Sequence, residues 1–148
     1  VVLGRELYVA GGRRTSAATN QPLNFVVPEV DVFSFDTQTW RTLDAPLPTP
    51  RAGVAGVAFR GELLVIGGES LAHKKQAHDE VEAYDPATGR WRSLPRLAVG
   101  IHGTGAVVQE GRVFLLGGAS TRGGGPWIPT ETNLVQVFGD DHARARRG

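Results

Sequence analysis

The sequence predicts an all-β protein built from three copies of a unit of about 50 residues. A short apolar strand ending in two glycines occurs three times, as ELYVAGG at 6–12, ELLVIGG at 62–68 and RVFLLGG at 112–118. A second apolar strand follows each copy, as VDVFSFD at 30–36, VEAYD at 81–85 and LVQVF at 134–138. Runs of β-branched, aromatic and leucine side chains that are bounded by turn residues are typical of buried strands.

The first half of each unit is predicted to be a β-hairpin. An apolar strand at 1–3, 57–59 or 106–108 leads through a short turn, Gly4-Arg5, Arg60-Gly61 or Glu110-Gly111, into the strand that ends in glycines. Two-residue hairpin turns need positive φ angles, which Gly4 and Gly111 adopt without steric cost.

A fourth strand opens on tryptophan in two of the units. The turn sequences DTQT at 36–39 and DPATG at 85–89 precede WRTL at 40–43 and WRSL at 91–94, and prolines 46 and 95 end these strands. After Phe138 the third unit continues as GDDHARARRG, with neither the turn nor the tryptophan strand. We therefore expect the tryptophan strand to be outermost, the strand near 54–59 innermost, and the last unit to lack its outermost strand.

A repeat of about 50 residues with four short strands is typical of a propeller blade. The chain resembles kelch repeats in its three glycine pairs, the aromatic residues Phe35, Tyr84 and Phe138, the acidic residues Asp36 and Asp85, and the tryptophans Trp40 and Trp91. This resemblance implies a kelch-type β-propeller sector of about three four-stranded antiparallel blades, the C-terminal part of a larger propeller.

The resemblance also implies a division of the chain. We expect one propeller segment over 1–148, with a partial blade at 1–50, a full blade at 51–100, a partial blade at 101–138 and a charged C-terminal tail at 139–148. Since a propeller ring usually needs about four to eight blades, the open edges are expected to be covered by missing blades of the same chain or by a second copy.

Composition excludes several classes of function. A net charge of +1 argues against nucleic-acid binding driven by bulk charge. No apolar run approaches the roughly 18 residues of a membrane span, so no membrane partner is expected. The chain has no cysteine, which excludes the cysteine–tyrosine copper chemistry of kelch oxidases of the galactose oxidase type. No catalytic constellation or phosphate-binding loop appears, and no cofactor is expected.

The candidate site is the face of the propeller that carries the long loops. Because the strands of a blade alternate in direction, loops 12–28, 68–79 and 119–130 share one face, here called the long-loop face, with the links 44–52 and 95–102. Binding residues are usually carried by loops on a rigid scaffold. The candidate ligand-binding residues on this face are Arg13, Arg14, Arg51, Lys74, Lys75, Arg96, His102, Arg122 and Trp127.

Seven of these residues are basic, which favours an anionic partner such as an acidic peptide or a carboxylate-bearing sugar. The alternative is that they are ordinary solvated surface charges. We expect Arg51 and Arg96 to contribute most to binding, since they lie in short links next to Pro50 and Pro95. Trp127 either stacks on a partner or covers the edge of its own blade.

Histidines offer the only plausible metal ligands besides Asp79. His73 and His78 are five positions apart in a polar loop, a spacing that matches no common ligand pattern, and His102 is remote in sequence. No metal site is therefore expected.

A fixed scaffold with variable loops and no catalytic constellation favours a kelch-repeat binding scaffold for a protein or glycan partner, with no catalytic residue. The alternative, implied by the resemblance, is a fragment of a sugar-directed propeller enzyme such as a sialic acid mutarotase.

Overall fold

The computed structural model describes residues 1–14, 18, 25–123 and 130–139. These residues form eleven strands: β1 (Val2–Leu3), β2 (Glu6–Ala10), β3 (Val30–Ser34), β4 (Thr39–Thr42), β5 (Ala55–Phe59), β6 (Glu62–Ile66), β7 (Val81–Asp85), β8 (Arg90–Ser93), β9 (Gly105–Gln109), β10 (Arg112–Leu116) and β11 (Val135–Gly139). In this described part of the chain no helix is long and apolar enough to cross a membrane.

The strands form three antiparallel sheets in which chain neighbours pair. Blade 1 has the order β1-β2-β3-β4, blade 2 has β5-β6-β7-β8, and blade 3 has β9-β10-β11 among the described residues. The tryptophan strands β4 and β8 lie at one edge of their sheets, and β5 lies at the opposite edge, beside β9 of the next blade. The predicted all-β fold, the strand order and the three-stranded last blade are confirmed.

The hairpin turns have the predicted backbone geometry. Gly4 and Gly111 have φ angles of 57° and 69°, and Arg60 and Glu110 join them in the left-handed region at 54° and 49°. Blade 1 differs from blade 2 in its inner strand, because β1 pairs only two residues with β2 whereas β5 pairs all five of its residues with β6.

The core consists of two layers between neighbouring blades, and β6 contributes to both. Leu63 and Val65 pack with Tyr8 and Val32 between blades 1 and 2, whereas the intervening Leu64 packs between blades 2 and 3. Side chains of a strand alternate between the two faces of the sheet. A strand buried on both faces therefore reads as the continuous apolar run ELLVI rather than as an alternating pattern.

The repeated glycine pairs let each blade approach the link that leads into the next blade. Gly67 has a φ of 62°, and a Cβ added there would lie 2.2 Å from the carbonyl oxygen of Ile101. The neighbouring Gly68 N–H donates to that same oxygen at 2.7 Å. Blade 1 repeats the contact one unit earlier, since the Gly12 N–H donates to the Arg51 carbonyl at 3.0 Å.

The two strand tryptophans have the same local geometry in different surroundings. Trp40 lies 5.2 Å from Phe33 and Trp91 lies 5.3 Å from Tyr84, with interplanar angles of 49° and 48°. Trp91 also donates from Nε1 to the Ala45 carbonyl of the preceding link at 3.1 Å, and packs against the core between blades 1 and 2. Trp40 has no described blade on that side and is 58% exposed.

Candidate functional site

Arg51 is buried inside the protein, not exposed on the long-loop face. It lies in the link between β4 and β5, and its side chain is 0% exposed. Nε donates to the carbonyl of Gly67 at 2.6 Å, Nη2 to Val65 at 3.0 Å, and Nη1 to Thr49 at 2.6 Å and to Glu82 Oε2 at 2.5 Å. The expectation that Arg51 is an accessible link arginine is wrong, because carbonyl and carboxylate acceptors within the core surround its guanidinium.

Two other predicted arginines are also engaged with their own protein. Arg96 is exposed, but its Nη1 contacts Asp79 and lies 3.0 Å from Glu80 Oε1. Arg122 is 8% exposed, and it donates from Nε to the His73 carbonyl at 2.8 Å and from Nη1 to the Gly123 carbonyl at 2.9 Å. Arg122 therefore ties the loop of blade 3 to the loop of blade 2.

Glu69 lies where segments from all three blades meet on the long-loop face. Its Oε2 accepts the Gly123 N–H of blade 3 at 2.7 Å, and its Oε1 lies 3.3 Å from Arg13 Nη1 of blade 1. The side chain is only 8% exposed, whereas that of Arg13 is 43% exposed. Arg13 and Glu69 thus join the loops that follow β2 and β6, although Glu69 was not predicted as a site residue.

His102, in the link between blades 2 and 3, also lies beside Glu69. Its Nε2 lies 2.9 Å from the Thr121 carbonyl oxygen, which only accepts hydrogen bonds, so Nε2 carries the proton. Nδ1 then faces Glu69 Oε2 at 3.7 Å. The His102 side chain is mostly buried, at 17% exposure. It therefore packs within the protein beside Glu69 and offers little surface to a partner.

Besides Arg13 and Arg96, three predicted basic residues are exposed: Arg14, Lys74 and Lys75. Neither hydrogen bonds nor ion pairs join these side chains to other residues in the described ranges. Contacts join the loops that carry them: the Lys75 carbonyl accepts the Arg122 N–H at 2.9 Å, the Gly123 N–H donates to Glu69, and Glu69 pairs with Arg13, which precedes Arg14. We call the three exposed cations on these joined loops, Arg14, Lys74 and Lys75, the basic ridge.

A separate cluster lies in the loop between β6 and β7. His78, which is 0% exposed, places Nδ1 2.8 Å from Glu80 Oε2 and Nε2 2.6 Å from Ser70 Oγ. His73 lies with Nε2 3.6 Å from Glu80 Oε1, and the two imidazole rings are 4.4 Å apart in an edge-to-face arrangement. The ligand atoms of the two histidines and Glu80 all lie within 4.8 Å of one another.

The surroundings of His78 and Glu80 shift the pKa values of both side chains. Burial lowers the pKa of His78, although the nearby Glu80 carboxylate opposes that change. Burial raises the pKa of Glu80, but hydrogen bonds from His78 and from its own backbone, together with the charges of His78 and Arg96, bring it down to about 2. At neutral pH the cluster therefore holds a neutral His78 beside an ionised Glu80.

Ser70 and Glu80 were not predicted as site residues. The five-residue spacing of His73 and His78 resembles no common ligand pattern. Glu80 lies only two positions after His78, so its nearness to that histidine is a local signal that the sequence analysis missed, whereas the approach of His73 depends on the folded loop. Trp127, the remaining candidate, lies outside the described residues.

The three sheets stack through apolar layers with β5 beside β9, which defines a segment of a β-propeller. A family model for the Kelch motif matches residues 50–98. Kelch-like protein terF of Aspergillus terreus is 32% identical over 133 residues, which cover 89% of this chain and 27% of terF. Kelch-like protein 33 of Homo sapiens is 41% identical over 120 residues, which cover 81% of this chain and 21% of that protein.

A solved structure shows the same fold. The structure of YjhT matches with a TM-score of 0.76 and 19% identity, over 94% of this chain and 47% of YjhT. The chain is a kelch-repeat β-propeller segment, and it spans about a quarter of the length of the curated relatives named here. The likeness to YjhT shows the fold alone, so the alternative of a sugar-directed enzyme stays a prediction.

Proposed function

We propose that this segment is a binding scaffold whose long-loop face holds an acidic segment of a protein partner. Kelch-repeat proteins are generally protein-interaction scaffolds. The observation that carries the proposal is the basic ridge, where Arg14, Lys74 and Lys75 are exposed while the other predicted arginines are buried or face carboxylates.

The surroundings of the ridge support a rigid binding surface. Glu69 joins the loops of three blades, and Arg122 holds the backbone beneath Lys74 and Lys75 through the His73 carbonyl. Exposed cations on an already ordered surface lose less conformational freedom when a partner binds than cations on loops that must first be ordered. A carboxylate-rich peptide supplies the opposite charge without a requirement for a deep pocket.

A labelled deca-glutamate peptide is a direct probe of the ridge. We expect Lys75→Glu in the full-length protein to weaken binding of this peptide about fivefold or more, because charge reversal replaces an attraction with a repulsion. Arg90→Glu is the matched control, since Arg90 is exposed at the start of β8, beside the short turns of the opposite face. Fluorescence anisotropy at low and physiological salt measures both variants, and binding should weaken with salt.

Equal losses in Lys75→Glu and Arg90→Glu would show diffuse attraction and contradict the proposed face. The alternative partner, a carboxylate-bearing glycan, is tested in the same assay with a uronic-acid or sialic-acid oligosaccharide. Binding of that sugar with the same Lys75 dependence, and no binding of the peptide, would replace the protein partner by a glycan.

We also propose that a further kelch blade covers the exposed side of blade 1, either from the same chain or from a second copy. Trp40 and Phe33 have the geometry of Trp91 and Tyr84, which pack against the preceding blade. The nearby Phe35 is 41% exposed. A covering blade would remove these aromatic surfaces from water.

A further inference from the structure

The cluster in the loop between β6 and β7 has the donor set of a transition-metal site. Two imidazoles and one carboxylate, from His73, His78 and Glu80, converge with their ligand atoms within 4.8 Å. Imidazole nitrogen favours zinc and similar divalent ions over magnesium and calcium, which prefer oxygen ligands alone.

The distances suit one ion after small adjustments. Metal–ligand bonds of about 2.1 Å in a tetrahedral arrangement place neighbouring ligand atoms about 3.4 Å apart. Glu80 Oε2 lies 2.8 Å from His78 Nδ1, Glu80 Oε1 lies 3.6 Å from His73 Nε2, and one ligand atom from each of the three residues lies within 4.8 Å of the others. His73 is the more exposed ligand at 36%, which leaves one side of the cluster open to solvent for a bound water.

Ser70 can orient His78 in either protonation tautomer. Without an ion, the Nδ1–H of His78 donates to the ionised Glu80, and Nε2 accepts from the Ser70 hydroxyl. With an ion on Nδ1, the proton resides on Nε2 and the same hydroxyl becomes the acceptor, since a hydroxyl can both donate and accept. Partners of this kind on the second ring nitrogen are usual at histidine metal ligands.

Arg96 is the internal competitor for the site. Its Nη1 lies 3.0 Å from Glu80 Oε1 and also contacts Asp79. The Arg96 side chain is 60% exposed, so it can turn toward solvent or remain on Asp79 when an ion takes the Glu80 oxygen. Its position predicts that removing this guanidinium strengthens metal binding.

We propose that His73, His78 and Glu80 bind one divalent transition-metal ion, with Zn²⁺ as the best-suited species. This proposal departs from the sequence-based expectation that the chain has no metal site. It is independent of the proposed partner on the basic ridge, because the ligands are not among the ridge residues.

Calorimetric titration of the metal-free full-length protein with ZnCl₂ tests the site. We expect one bound Zn²⁺, and a loss of affinity of about tenfold or more in His73→Ala. Arg96→Gln is expected to bind several-fold more tightly, an effect that a merely structural role for the cluster would not produce. Titration with Co²⁺ should give the visible absorption of a four-coordinate ion in the wild type and lose it in His73→Ala.

His142→Ala is the matched control, because it removes one imidazole from a position outside the described residues. Thermal unfolding without metal verifies that His73→Ala is folded, and His73 is suited to this test since it is partly exposed. Wild-type Zn²⁺ affinity in His73→Ala, or an equal loss in His142→Ala, would overturn the proposal.

Discussion

Arg51 and Glu82 form a buried ion pair, with Arg51 Nη1 2.5 Å from Glu82 Oε2 and side-chain exposures of 0% and 4%. The arginine lies in the link before β5 and the glutamate lies in β7. The pair therefore holds this link against blade 2. Thr49 Oγ1 donates to the other carboxylate oxygen at 2.7 Å. In the next unit the equivalent position is Ile101, which is also buried.

The first prediction concerns this pair. Arg51→Ala should lower the free energy of unfolding by about 3 to 5 kcal/mol, because it leaves a buried carboxylate without its cation. Chemical denaturation monitored by tryptophan fluorescence measures the loss. Arg92→Ala is the matched control, since Arg92 forms an exposed pair with Glu62 and should cost less than about 1 kcal/mol.

A double-mutant cycle refines the test of the pair. Arg51→Ala combined with Glu82→Ala should cost less than the sum of the two single changes, because the pair is removed together. Additive losses, or equal losses in Arg51→Ala and Arg92→Ala, would show that the ion pair makes no special contribution.

The second prediction compares two costs of replacing a glycine by alanine: the clash of the added Cβ with a neighbouring atom, and the strain of a positive φ. Gly67→Ala should destabilise the fold by about 2 to 5 kcal/mol, because the added Cβ meets the Ile101 carbonyl in addition to the strain of a positive φ. Gly61→Ala should cost only about 1 to 2 kcal/mol, since Gly61 has a φ of 81° but no atom within 4 Å of the added Cβ. Equilibrium unfolding of both variants compares them, and similar losses would argue against the close approach.

The third prediction tests whether a further blade covers blade 1. Trp91→Ala should cost about 2 to 4 kcal/mol through lost packing and the hydrogen bond to Ala45. If a blade covers Trp40 in the full-length protein, Trp40→Ala should cost a similar amount. Thermal and chemical unfolding compare the variants, and a loss below about 1 kcal/mol for Trp40→Ala would mean that this face stays in water.

The fourth prediction concerns acid sensitivity of the β7–β8 turn. The Ala87 amide and the Thr88 hydroxyl lower the pKa of Asp85 below its ordinary value. A lowered pKa means that Asp85 stabilises the fold above its ordinary pKa and that this contribution is lost as the pH falls. Asp85→Asn should therefore lower the melting temperature near pH 6, and the difference from wild type should shrink toward pH 3.

Asp44→Asn is the control for the pH series. Asp44 is exposed, and no hydrogen bond links its side chain to the rest of the described chain. A pH-independent difference between Asp85→Asn and wild type would contradict the role of the ionised turn aspartate.

The sequence by itself determined the blades of this protein. Strand composition, turn residues and glycine pairs act over a few positions, so their repetition in units of about 50 residues is readable without coordinates. Such local signals predict three features of the fold: the hairpin glycines Gly4 and Gly111, the outer position of Trp40 and Trp91, and the three-stranded third blade. The packing of β6 on both faces follows from its uninterrupted apolar run.

Only the tertiary structure decided which charged residues form sites. Arg51 and Arg96 look alike in sequence, because each directly follows a proline in the link after a tryptophan strand, yet one is buried and the other exposed. The difference arises because Glu82, 31 positions away, meets Arg51 only when the link docks against β7. Glu69 gains its neighbours Gly123 and Arg13 in the same way, through the stacking of blades. Glu80 lies two positions from His78, but only the folded loop and link bring His73 and Arg96 to it. Local pattern carries no information about contacts between residues that are far apart in sequence.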